Sequence, residues 1–257
     1  MSKFRVLQFN IQFGQAWDEA DPDHAPINLE ATIAEIKRHD ADIILLQEVE
    51  HALPGGQQQQ PPPNYGLIKE ALTGYHSWFS YPKADPRELP FGIGLAIFSR
   101  FALTRVMRCE IPSPEISFEF YGTKTTPTDR LMIGLQTEVD GHSLDVFNTH
   151  LLAFFMLGAS SEGNSEQPGI VLNQLRDSKK ASIVSGDFNV SNHKSLTKQF
   201  SEAGLTTVQD QENTWRRRPY VLDHIFYNAQ LRCVAHEVIA TPTSDHHAIV
   251  ADFEFVD

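Results

Sequence analysis

The amino-acid sequence predicts an α/β (α+β) domain in which two mostly antiparallel sheets pack face to face and helices flank them. Strand-like apolar runs greatly outnumber helical segments, and several follow one another directly, as antiparallel neighbours do. The few helices are interspersed, without the strict strand–helix alternation of a doubly wound parallel sheet. No Pro-, Gly- or Ser-rich linker divides the chain, and the candidate site residues run from Asn10 to His246, so residues 1–257 read as one domain.

The N-terminus leads directly into a strand at 4–9. Residues 28–38 follow as a helix, with Leu29, Ile33 and Ile36 on one face and Asn28 as its cap. A strand is expected at 42–47, a short helix at 65–72, and strands at 76–80, 94–99, 104–111, 131–138 and 143–148. A helix at 167–177 carries Ile170, Leu172 and Leu175. The apolar run before Ser185 is a short buried strand, 182–185, and Ser191 or Asn192 can cap a helix reaching Ala203. Strands at 222–227, 231–238 and 248–255 complete the order. The glutamines 57–60 and prolines 61–63 read as a solvated low-complexity loop.

With 41% hydrophobic and 21% charged residues, the chain has ample apolar material for one large core. Lys plus Arg is 21 and Asp plus Glu is 33, giving a formal net charge of −12. Such a chain is a poor general polyanion binder, because non-specific nucleic-acid affinity comes from phosphate neutralisation by Lys and Arg. That disfavours a processive nuclease, while a local basic patch can still serve a short or metal-chelated phosphate. Cys109 and Cys233 show no metal-ligand spacing and read as buried small hydrophobes of a reducing compartment. Neither a signal-like N-terminal region nor an apolar run of membrane-span length is seen. The expectation is a soluble, cytoplasmic protein with no membrane span and no obligate protein partner.

Chemistry-bearing residues gather where strands run out. In Ser185-Gly186-Asp187-Phe188-Asn189 a carboxylate and a carboxamide stand two residues apart, on one face of an extended chain. Asp187 can take a proton from water or bind a metal, Asn189 can orient the same water, and Gly186 lets the backbone approach closely. Glu48 ends the apolar strand Ile43-Ile44-Leu45-Leu46-Gln47. A charge is costly inside a sheet, so Glu48 must emerge at the strand end or meet a cation, and hard divalent ions take oxygen ligands. Asn10, closing the first strand, can ligate the ion or hold Glu48 in place. His150 ends Phe147-Asn148-Thr149-His150 and can hydrogen-bond a phosphoryl oxygen, with Asn148 as its buttress.

Asp223 lies in an apolar run and needs a partner, for which Ser244-Asp245-His246-His247 supplies candidates. An Asp–His pair fixes the imidazole tautomer and raises its basicity. Neither Ser185 nor Ser244 has the context of a nucleophile elbow, which argues against a serine hydrolase. Two cations are candidates for phosphate contact: Arg217, in the dense basic run Thr214-Trp215-Arg216-Arg217-Arg218, and Arg130, which opens a strand. The apolar run 151–157 after His150 is either core or an exposed lip suited to a hydrophobic group. Taken singly, each feature has a plainer explanation: a strand end reaching water, a turn-forming Asn, a solvated basic loop.

Taken together, the blocks resemble the endonuclease/exonuclease/phosphatase superfamily. Phe9-Asn10-Ile11, Leu46-Gln47-Glu48-Val49, Asn148-Thr149-His150-Leu151, Gly186-Asp187-Phe188-Asn189, Leu222-Asp223-His224-Ile225 and Ser244-Asp245-His246-His247 occur in the family's order and span essentially the whole chain. Ala248 departs from it, where many relatives have Pro. The resemblance implies a four-layer α/β/β/α sandwich and hydrolysis of a phosphoester substrate with Mg²⁺ or Mn²⁺. It implies that Glu48 ligates the metal, with Asn10 and Asp245 nearby as direct or water-mediated ligands. Asp187 would activate water for in-line attack, with Asn189 positioning it or the phosphate. His246, oriented by Asp223, and His150 would stabilise the scissile phosphate.

The shared blocks identify chemistry and not substrate. The leading expectation is a phosphodiesterase acting on nucleic acid. A small-molecule or lipid-headgroup phosphodiesterase or phosphatase is the alternative, and a catalytically silent binding protein of the same fold is the rival from another class.

Overall fold

The computed structural model describes residues 3–160, 165–175 and 180–256. In chain order the elements are β1 (Lys3–Asn10), α1 (Leu29–Arg38), β2 (Ile43–His51), α2 (Pro63–Ala71), β3 (His76–Ser80), β4 (Gly92–Ser99), β5 (Leu103–Ile111), β6 (Phe118–Phe120) and β7 (Thr123–Thr125). There follow β8 (Arg130–Val139), β9 (His142–His150), α3 (Glu166–Leu175), β10 (Ala181–Asp187), α4 (His193–Glu202), β11 (Leu205–Thr207), β12 (Asp223–Asn228), β13 (Leu231–Ile239) and β14 (Ala248–Phe255). Residues 176–177 of the expected third helix lie outside the described residues.

One sheet has the order β13-β14-β1-β2-β4-β3 and the other β11-β12-β10-β9-β8-β5. Pairing is antiparallel except for β1–β2 and β9–β10. A parallel pair needs a long crossover connection, and α1 and α3 lie in the two connections that make one. Asn28 caps α1 as the sequence predicts, its side-chain oxygen accepting from Ala31 N–H at 3.1 Å.

Alternation along the strands builds the layers. Phe4 and Val6 of β1, Ile43 and Leu45 of β2, Leu144 and Val146 of β9, and Ala181 and Ile183 of β10 fill the space between the sheets. The intervening Leu7, Phe9, Ile44 and Leu46 face Ile36 of α1 and Ile68 of α2. Phe147, Val184 and Phe226 face Val171 and Leu172 of α3 and Leu196 and Phe200 of α4. The result is the expected four-layer α/β/β/α sandwich.

Several details differ from the sequence reading. The β6–β7 hairpin and β11 are three-residue strands, too short to leave a periodic signal. Pro63 opens α2 and does not belong to the preceding loop, consistent with the fixed φ of Pro suiting the first helical position. Strand β2 does not stop at Glu48: it continues to His51 through an irregularity in its pairing with β4 between Gln47 and Glu50. Cys109 and Cys233 are unpaired and half-buried, on different sheets.

Candidate active site

The row of inward-facing side chains turns from apolar to polar at one end of the sandwich. After Val6 come Gln8 and Asn10; after Leu45 comes Gln47; after Val146 come Asn148 and His150; after Ile183 come Ser185 and Asp187. Strand register sets these groups side by side, with Asp187 opposite both His150 and Asp223. The close contact at Gly186 depends on its lack of a Cβ, which would fall 1.9 Å from the Thr149 carbonyl oxygen.

Glu48 reaches the same place by a strained route. Its φ of 50° is left-handed, which a non-glycine residue adopts only when its surroundings impose it. A Cβ on the facing Gly92 would fall 2.2 Å from Glu48 Oε2, so the glycine leaves the cradle into which the carboxylate folds. Asn10 Nδ2 donates to Glu48 Oε1 at 2.9 Å and to Asp187 Oδ2 at 3.2 Å, while Asn10 Oδ1 accepts from Gln12 N–H at 3.1 Å. The amide thus ties the two carboxylates together across the sheets.

His150 Nε2 lies 3.8 Å from Glu48 Oε1 and 3.6 Å from Asp187 Oδ2. These separations are too long for hydrogen bonds. They match donors that share one divalent ion, since two ligands each about 2.1 Å from a metal sit roughly 3–4 Å apart. The two oxygens and one nitrogen, in the cradle opened by Gly92, fit such an ion.

Asp187, Asp223 and His246 form a second close set of donors. Here His246 Nδ1–H donates to Asp223 Oδ2 at 2.8 Å, leaving Nε2 3.7 Å from Asp187 Oδ2. That set is therefore a hydrogen-bonded relay and the first triangle is the open one.

Electrostatics follow from burial. Desolvation and then the Asp245 charge push the Glu48 carboxyl up to about 7, against the Asn10 hydrogen bond. Desolvation, with the Asp223 charge next, holds the Asp187 carboxyl well above the usual range. His246 holds its proton well above an ordinary imidazole: burial opposes this, and the charges of Asp223 and Asp187 overcome it. His150 moves the other way, lowered by burial and by Arg130, and is neutral.

Not every expected residue is free for substrate. Arg217 is engaged, its Nε donating to Asp245 Oδ2 at 2.7 Å and its Nη1 to Asp23 Oδ1 at 2.6 Å. Asp245 also accepts from Trp215 Nε1 at 3.2 Å and belongs to neither donor set. Arg130, by contrast, has no carboxylate at ion-pair distance among the described residues, and its charge is felt by both Glu48 and His150. Asn189, with φ of 52°, donates its backbone N–H to Asp187 Oδ1 at 2.9 Å and its side-chain Nδ2 to the Leu151 carbonyl at 3.0 Å. The hydroxyls of Ser185 and Ser244 are spent on the backbone carbonyls of His224 and Asn10.

Two contributors escaped the sequence reading. Gln8 and Gln47 are fully buried beside the site, and their signal was the inward phase of β1 and β2. Asn148 turns away from the expected His150 partner and bonds Gln47 and the carbonyls of Leu46 and Ala96. Phe155, in the apolar run after His150, packs its ring 5.5 Å from Trp215 and 5.3 Å from Tyr220, while Met156 beside it is 59% exposed. Trp215 in turn lies 6.4 Å from the His246 ring, so an aromatic wall adjoins the carboxylates. This run is neither wholly core nor wholly lip.

The family profile described as "Endonuclease/Exonuclease/phosphatase family" matches residues 7–246. A search of curated protein sequences finds no match. Among solved structures, the chain is similar to an endonuclease/exonuclease/phosphatase from Beutenbergia cavernae (TM-score 0.73, 23% identity, 99% of this chain and 72% of that one). It is similar to the human Nocturnin catalytic domain with bound sulfate (TM-score 0.66, 24% identity, 99% and 95%). A mannosyl-6-phosphatase from Bacteroides thetaiotaomicron shares the fold as well (TM-score 0.70, 18% identity, 98% and 100%).

Proposed function

Since the chain belongs to the endonuclease/exonuclease/phosphatase family, whose members are generally hydrolases acting on phosphoester bonds, we propose that it is a phosphodiesterase dependent on Mg²⁺ or Mn²⁺ and that its substrate is nucleic acid. The observation that carries the hydrolase reading is the position of Asp187. Its carboxylate stands between the Glu48–His150 triangle on one side and the Asp223-oriented His246 on the other.

Glu48 and Asp187, with His150 as third donor, would hold the ion. A bound divalent ion supplies Lewis-acid stabilisation of phosphoryl charge. Asp187, its Oδ1 fixed by the Asn189 N–H, accepts the proton of the water that attacks phosphorus as the opposite P–O ester bond breaks. His246, held protonated by Asp223, donates from Nε2 toward the phosphoryl oxygens, and Arg130 adds an uncommitted positive charge. Asn10 keeps the two carboxylates at a fixed spacing.

The nucleic-acid part rests on the aromatic wall of Phe155, Trp215 and Tyr220, a surface on which a base can stack without sequence preference. The test is hydrolysis of oligonucleotides, phosphorylated sugars and lipid-headgroup phosphodiesters with Mg²⁺ and Mn²⁺, run beside the Asp187→Ala protein. Oligonucleotides are expected to give the highest kcat/KM, chelation by EDTA to abolish turnover, and Asp187→Ala to reduce it by roughly 10³-fold or more with the fold retained. Full activity in EDTA, or near wild-type turnover of the variant, would overturn the mechanism. A preference for the sugar or lipid phosphates would overturn the substrate.

A further inference from the structure

Behind His246 runs a chain of buried amides that crosses from one sheet to the other. Gln8 Nε2 donates to Asp223 Oδ1 at 2.9 Å and to Gln47 Oε1 at 2.8 Å. Gln47 Nε2 donates to Asn148 Oδ1 at 2.7 Å and to the Leu45 carbonyl at 3.3 Å. Asn148 Nδ2 ends the chain on the carbonyls of Leu46, at 2.8 Å, and Ala96, at 3.0 Å. Gln8, Gln47, Asn148 and Asp223 are all fully buried.

Packing alone does not account for an amide at position 8. Gln8 Oε1 has no hydrogen-bond partner, a costly state for a buried polar atom. An apolar side chain there would extend the row of Phe4 and Val6 with no such orphan. The demand comes from Asp223, a carboxylate in a dry layer that needs donors on both oxygens. His246 Nδ1–H serves Oδ2 and Gln8 serves Oδ1. An ionised carboxylate only accepts, so Asp223 sets the direction of the chain. Turning the Gln8 amide over would aim its oxygen at two acceptors at once.

We propose that Gln8 is a positioning residue: anchored through Gln47 and Asn148 to the backbone of β2 and β4, it fixes Asp223 so that His246 presents Nε2 to Asp187 and the reacting phosphate. The kinetic consequence rests on the hydrolase reading given above, whereas the structural consequence does not. Removing the amide frees Asp223 to rotate, which weakens the grip on Nδ1–H and lowers turnover without touching substrate binding.

The experiment compares Gln8→Met with the wild-type protein in the presence and absence of Asp223→Ala. The downfield imidazole N–H resonance of His246 in metal-free protein is expected to shift or vanish in Gln8→Met. With the fold intact, kcat should fall about 10-fold or more with KM held within about 2-fold, and the same substitution added to Asp223→Ala should cost less than about 2-fold further. An unchanged resonance with unchanged kcat, or an equal loss in both backgrounds, overturns the proposal. Should Gln8→Met not fold, Gln8→Glu keeps the shape and, while protonated, still donates to Asp223. Its activity relative to wild type should fall as pH rises, and a wild-type pH profile for that variant overturns the proposal too. A wild-type protein that hydrolyses no phosphoester would fail the functional reading, and the resonance comparison would still decide the role of Gln8.

Discussion

Burial and the neighbouring Asp245 charge push the Glu48 carboxyl up to about 7, although holding a divalent ion requires the ionised form. The strained φ and the Gly92 cradle keep the side chain in that unfavourable place. Two consequences follow at the scale of this residue. Ion binding must displace a proton, so titration calorimetry in buffers of different ionisation enthalpy should show proton release that grows as pH falls below about 7, with affinity weakening in step. In EDTA the sign runs the other way for stability. Between the unfolded value near 4.5 and the folded value near 7, the native state binds more protons than the unfolded one. Stability contributed below about 4.5 is therefore lost as pH rises toward 7, by roughly 3 kcal/mol from this group alone. Asp187 and His246, both raised, act in the same direction. His150 and His224, both lowered, act against these groups, so the check is the metal-free melting temperature of the wild type relative to Glu48→Gln: that difference should fall from pH 5 to pH 7, and a rise would contradict this.

At the scale of elements, the site is made by the parallel pair β9–β10 and its antiparallel neighbour β12, which set His150, Asp187 and Asp223 abreast. The close approach at Gly186 permits that register, because the nearest atoms to an added Cβ are backbone atoms of Thr149, which cannot step aside as a side chain can. Gly186→Ala is expected to destabilise the protein by about 3 kcal/mol or more in urea denaturation, in the range of severe backbone and overpacking changes. The same substitution should depress turnover in whatever fraction folds, since β9 and β10 carry His150 and Asp187, the groups proposed to react. A loss below about 1 kcal/mol would mean that β9 and β10 part without cost.

At the scale of the whole molecule, a net charge of −12 surrounds a site whose one uncommitted cation among the phosphate candidates is Arg130, Arg217 being paired with Asp23 and Asp245. If nucleic acid is the substrate, few phosphates are neutralised and aromatic stacking carries much of the affinity. The logarithm of oligonucleotide affinity should then fall with the logarithm of salt at a slope near −1, about 3- to 4-fold between 50 and 200 mM, as one phosphate contact dictates. A slope of −4 or steeper would reveal a basic track that Arg130 alone does not provide.

The sequence by itself determined the family and the layers, because both are written in local, periodic terms. Strand alternation sorts Val6 from Leu7 and Ile183 from Val184, and Glu48, Asp187 and Asp223 stand in short blocks whose order is legible along the chain. It also raised the pairing of Asp223 with His246, since a carboxylate in an apolar run demands a partner. Only the tertiary structure decided which polar groups are spent and which are free. Arg217, a candidate through its basic run, bonds Asp245 across 28 residues, while Gln8, unremarked among apolar neighbours, meets Asp223 across 215. The reason is that a hydrogen bond between distant strands depends on sheet register and on the facing sheet, and neither leaves a trace in the residues on either side.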